Sequence, residues 1–136
     1  MRVRKIGLAL LAVLMLANGL PLDVHAIDIA PLYEELLEAR SELSISGQTA
    51  SPYCRIKGKP GTTKVEANMT LQRLESNGQY TDVKTWPGSS DGTTLTMSKT
   101  WAVLPGYSYR VYVSAWVTRA STTEWFSCYS NVEYCG

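Results

Sequence analysis

From residue 43 onward, apolar and polar positions alternate, and Gly, Pro and Asn punctuate the alternation every few residues. The clearest run follows Pro105-Gly106. Tyr107, Tyr109, Val111, Val113, Ala115 and Val117 share one parity, while Tyr112, Ser114, Trp116 and Thr118 share the other. A period of two with β-branched and aromatic residues is the pattern of a strand with one face buried. Leu43 and Ile45 begin the series, Ala50, Cys54 and Ile56 continue it, and Val65, Ala67, Met69 and Leu71 form a third strand. The parity slips between Leu71 and Leu74, which predicts a bulge. Asn77-Gly78 predicts a type I′ hairpin, and Asp91-Gly92 repeats that chemistry. Between and after them lie strands carrying Tyr80, Val83 and Trp86, and then Leu95, Met97, Trp101 and Val103. In the last strand Phe126, Cys128, Val132 and Tyr134 share the apolar parity. Seven short strands predict an all-β, antiparallel sandwich for residues 43–136.

The preceding segment differs in texture. Residues 27–42 hold a run of helix formers, Pro31-Leu32-Tyr33-Glu34-Glu35-Leu36-Leu37-Glu38-Ala39-Arg40, with acidic residues early, as a helix dipole favours. A short helix or an ordered N-terminal arm is expected there. Residues 1–26 show a third texture: Arg2, Arg4 and Lys5, an apolar run from Ile6 to Ala17, helix breakers at Asn18, Gly19 and Pro21, and Val24-His25-Ala26. This is the layout of a cleavable secretory signal. Its apolar run falls short of the roughly 20 residues of a spanning helix. Export with cleavage before Ile27 is therefore expected, giving a secreted, extracellular domain with no membrane attachment after cleavage.

Removing the signal changes the chemical inventory. Ten basic and eleven acidic residues remain, a net charge of −1, so no electrostatic footprint for nucleic acid is left. The only histidine, His25, leaves with the signal. Triads built on histidine and His-ligated zinc are thereby excluded from the mature chain. Glu34, Glu35, Glu38, Glu66, Glu75, Asp82, Asp91, Glu124 and Glu133 are scattered over polar parities and turns. That placement does not suggest the paired carboxylates of a glycosidase. The expectation is a non-catalytic protein without metal or cofactor.

Three cysteines in an exported chain suggest one disulfide and one remaining thiol. Cys54 and Cys128 fall on the core parity, whereas Cys135 falls on the other. A Cys54–Cys128 bridge is expected, with Cys54–Cys135 as the alternative. Closing the long loop between the first pair is worth roughly 4.5 kcal/mol on the chain-entropy account. Asn68-Met69-Thr70 fits a glycosylation sequon on the outward parity.

The thirteen aromatic residues, four Trp, eight Tyr and one Phe, are the most suggestive feature. Trp86, Trp101 and Tyr109 are expected in the core. Tyr112 and Trp116, with Trp125 across the last hairpin, fall on the face opposite the valines. Such a face either stacks on a glycan or protein partner or is covered by the N-terminal arm.

Two resemblances add to this reading. Leu104-Pro105-Gly106-Tyr107-Ser108-Tyr109-Arg110-Val111-Tyr112-Val113-Ser114-Ala115 resembles the turn and sixth strand of fibronectin type III domains. The likeness implies an immunoglobulin- or fibronectin-III-like sandwich with Tyr109 as its corner tyrosine. Over the whole mature chain, several short segments are similar to a domain family of unknown function in short secreted proteins of Gram-positive, clostridia-like bacteria. They include Leu43-Ser44-Ile45-Ser46-Gly47, Gly61-Thr62-Thr63-Lys64, Met69-Thr70-Leu71-Gln72 and Val83-Lys84-Thr85-Trp86, and further on Ser98-Lys99-Thr100, Tyr109-Arg110-Val111 and Tyr129-Ser130-Asn131. That likeness implies secretion and supplies no mechanism. The expected function is extracellular binding of a glycan or protein. A self-associating component of the cell surface or matrix is the alternative, and a small hydrolase the third reading.

Overall fold

A computed structural model describes residues 33–136; the signal and the first part of the arm, including Leu32, lie outside the described residues. Nine strands and no helix are present among them: β1 (Leu36–Ser46), β2 (Thr49–Gly58), β3 (Thr62–Leu74), β4 (Tyr80–Ser90), β5 (Thr94–Ser98), β6 (Trp101–Ala102), β7 (Tyr107–Arg119), β8 (Thr122–Tyr129) and β9 (Glu133–Cys135). They form two antiparallel sheets. In the first the order is β1-β2-β5, with β6 also pairing β2; in the second it is β4-β3-β7-β8, with β9 also pairing β7. The inward positions of both sheets meet in one core. Val65, Met69, Val111, Val113, Val117 and Phe126 enter it from the second sheet, and Leu36, Ala39, Leu43, Cys54 and Ile56 from the first.

Of the two alternatives for residues 27–42, a short helix or an ordered arm, the helix is corrected for the described part: from Leu36 the segment is β1. Ala39, Ser41 and Leu43 point inward, and Arg40, Glu42 and Ser44 point outward, so the period is two. A bulge between Leu36 and Glu38 lets Leu36 face the core as well. Burial of that face against the second sheet overrides the helix propensity of the glutamates and leucines. Residues just before β1 are fixed by charge. Arg119 donates through Nε to Glu35 Oε2 at 2.7 Å, and the Glu124 carboxylate accepts the backbone N–H groups of Glu34 and Glu35 at 3.3 and 2.9 Å.

Nine strands stand where seven were expected because two runs are broken. The fifth divides at Lys99-Thr100 into β5 and β6, which leaves Trp101 38% exposed at a sheet edge rather than in the core. The last divides at Ser130-Asn131. Ser130 Oγ accepts from Val111 N–H at 2.7 Å, and the Asn131 side chain accepts from Leu43 N–H at 3.1 Å and donates to Leu43 O at 2.8 Å. Asn131 thus joins the two sheets as a substitute for a paired strand. Past this break the parity reverses: Val132 and Tyr134 are exposed and Cys135 is fully buried. The inferred placement of Cys135 on the outward parity is corrected accordingly.

Two turns differ in type from expectation. Asn77-Gly78 closes the β3–β4 hairpin, but only Gly78 has a positive φ, and Gly78 N–H donates to Glu75 O. This is a longer loop ending in a left-handed glycine, not a two-residue type I′ turn. Asp91-Gly92 carries the chain from β4 in the second sheet to β5 in the first. The bulge near Leu71 is present, and its extra residue is Val83 on the partner strand.

Candidate functional site

The outward face of the second sheet is a grid of cross-strand rows. Trp125, Trp116, Glu66 and Ser89 form one row across β8, β7, β3 and β4; Ser127, Ser114, Asn68 and Pro87 form the next. Then come Tyr129, Tyr112, Thr70 and Thr85, followed by Arg110, Gln72 and Asp82. Two aromatic pairs are therefore four residues apart along β7, about 13 Å, with a row of small hydroxyl and amide groups between them.

The three aromatics expected to form a platform do lie on this one face. Trp125 is 50% exposed, while Tyr112 and Trp116 are half-buried. The described part of the N-terminal segment runs along the first sheet and does not lie over these rings; Leu36 is in the core and Leu37 is exposed. Tyr129 is a member that the sequence reading missed. It stands opposite Tyr112, the two rings tilted at 41° with centroids 5.0 Å apart, and is 40% exposed. Its signal was available, since Tyr129 shares the parity of Trp125. Arg110 was missed too, although it shares the parity of Tyr112 and Trp116.

Arg110 organises the far end of the strip. Its guanidinium carbon lies 3.6 Å from the centroid of Tyr80 and 4.1 Å from that of Tyr129, so rings from β4 and β8 flank it. Its Nε donates to Gln72 Oε1 at 2.9 Å, and Gln72 Nε2 donates to Asp82 Oδ1 at 3.0 Å. Thr70 and Thr85 share a 2.9 Å hydroxyl contact beneath the strip. The face thus combines flat apolar surfaces with fixed polar groups, the combination that holds a sugar by its ring faces and its hydroxyls.

The remaining predicted residues have structural surroundings. Tyr109 is buried, its hydroxyl accepting from Leu104 N–H at 3.0 Å and donating to Leu104 O at 3.2 Å. Cys54, Cys128 and Cys135 are buried free thiols, so the expected disulfide is not formed in this structure. Cys54 enters the core from β2 and Cys128 from β8, on facing sheets. Burial pushes both thiols up to about 12, and Cys128 adds a repulsive charge effect on Cys54. Cys135 instead reaches the β1–β2 turn, its Sγ 3.5 Å from Gly47 O. Among the described residues, the one shifted carboxylate, Glu75, is lowered by hydrogen bonds from Thr81 and then Arg73, which close the β3–β4 loop. No group of three His, Cys, Asp or Glu residues able to hold a metal occurs among the described residues.

Comparison with known proteins adds no relative: no family model matches the chain, and no curated protein or solved structure is significantly similar to it.

Proposed function

We propose that this chain is a secreted, non-catalytic glycan-binding module whose binding surface is the outward face of the second sheet. The observation that carries the reading is the set of four rings, the Trp125–Trp116 and Tyr129–Tyr112 pairs, on one sheet face that no other described strand covers, with polar groups between the pairs. Aromatic faces stack on the C–H surfaces of sugars, and neighbouring Asn68, Ser114 and Ser127 supply donors and acceptors for hydroxyls. The secretory layout of residues 1–26 and the likeness to short secreted bacterial proteins support an extracellular setting. In that oxidising setting Cys54 and Cys128 are the pair we assign to a disulfide across the two sheets. Two thiols there lose two protons and two electrons to a disulfide-donating oxidant.

Pull-down of the secreted protein on insoluble polysaccharides, followed by titration with soluble fragments, tests this reading. Retention on at least one glycan, lost when Trp116 or Trp125 is replaced by Ala, is the expected result. Equal retention of wild type and both variants would overturn it.

A further inference from the structure

Stacking on a neutral sugar makes no use of Arg110. We infer that the ligand is an acidic glycan, and that Arg110 grips the carboxylate of a sugar acid seated on the Tyr112–Tyr129 pair. This rests on the reading of the face as a glycan site and specifies its chemistry.

Three observations carry it. First, Arg110 is a cation without an anionic partner among the described residues. Every other arginine from residue 40 onward forms an ion pair, Arg40, Arg55, Arg73 and Arg119 all meeting a glutamate, but no carboxylate among the described residues is within ion-pair distance of Arg110. Second, its orientation is fixed in advance. Tyr80 and Tyr129 flank the guanidinium, and Gln72 occupies Nε, while the donors on the two Nη atoms have no protein partner among the described residues. A guanidinium so held keeps the fork geometry that matches a carboxylate and loses little entropy on binding. Third, its position fits. Arg110 lies one row beyond Tyr112, about 7 Å along β7, where a carboxylate projecting past the edge of a stacked sugar ring would arrive. The acid in its own row, Asp82, accepts from Gln72, and Glu66 at the opposite end of the face stands 3.9 Å from Lys64.

Hexuronic acids and sialic acids share this chemistry, and the test separates them. The secreted protein is titrated with polygalacturonate, its methyl ester, sialyllactose, lactose and a neutral cello-oligosaccharide, and then with poly-glutamate. The expected result is binding to polygalacturonate or to sialyllactose, the stronger of the two naming the source. Binding should fall on the order of tenfold to a hundredfold when the carboxylate is esterified or absent. Arg110→Gln should lose that preference while Trp116→Ala weakens every ligand, and Arg110→Lys should restore part of the preference. Equal affinity for the sugar acid that binds and its uncharged counterpart, the methyl ester for polygalacturonate or lactose for sialyllactose, measured on the wild type alone, would overturn the inference and leave the glycan site standing. Poly-glutamate binding as tightly as the sugar acids, or no saccharide binding at all, would overturn both.

Discussion

On the outer face of the first sheet, Arg40 stands opposite Arg55, and Glu38 lies within 3.9 Å of the one and 3.5 Å of the other. Glu42 completes a ladder of charges along β1, and Thr94, Thr96 and Ser98 extend the face across β5. On the outer face of the second sheet, the corresponding cross-strand positions hold Trp116 opposite Trp125 and Tyr112 opposite Tyr129. Both faces belong to strands of the same sandwich with the same inward alternation, so the core does not require the difference. A solvated face needs only side chains that water tolerates, and the charged ladder is that solution. Four rings on the other face forgo favourable hydration, and a ligand that covers them is the role proposed for them above.

The comparison breaks first at the level of the core that both faces share. Phe126 is adjacent to Trp125 on β8 but fully buried, with the Tyr33 ring 5.6 Å away. Phe126→Ala should cost about 3–5 kcal/mol in chemical denaturation, through lost burial and an unfilled cavity. A cost below about 1 kcal/mol would mean that the inward and outward parities of β8 are misassigned.

The two core thiols give the next effect, through pH. Cys54 and Cys128 are raised from 9.0 to about 12 in the fold, so the folded state holds these protons more tightly than the unfolded chain does. Their contribution is fully present below pH 9 and is lost as pH rises toward 12. The reduced protein should therefore lose stability over that window. With a Cys54–Cys128 disulfide closed there is no thiol to titrate, and that part of the loss should vanish. Identical alkaline profiles for the oxidised and reduced protein would count against the pairing.

The smallest effect belongs to the charged face. Arg40→Gln should change stability by only about 0–1 kcal/mol, with the difference shrinking as salt is added, because Arg40 is exposed and its ion pairs are screened. It should leave glycan binding unchanged. A large binding defect would place the ligand on the first sheet instead.

Much of this was legible in the chain because alternation and turn chemistry agree. Val111, Val113, Ala115 and Val117 fix the face of β7, and once they are buried Tyr112 and Trp116 must point outward. The first half of β1, before Leu43, was hidden because its inward residues, Ala39 and Ser41, are small and its outward ones favour helices. The reversal that buries Cys135 depends on Asn131 capturing the backbone of Leu43, 88 residues earlier in the chain, a contact that no local pattern reports. Arg110 was obscured for a related reason. Its flanking rings come from β8 and from β4, and β4 reaches it only across β3.

The central claim, that the rings of the second sheet serve a ligand and not the fold, is tested most directly by Trp125→Ala, melted and titrated beside the wild type. An unchanged melting temperature together with about a thirtyfold loss of glycan affinity is the predicted result, as expected when one aromatic anchor leaves an interface. A collapse of the melting temperature, or full affinity in a well-folded variant, would contradict it.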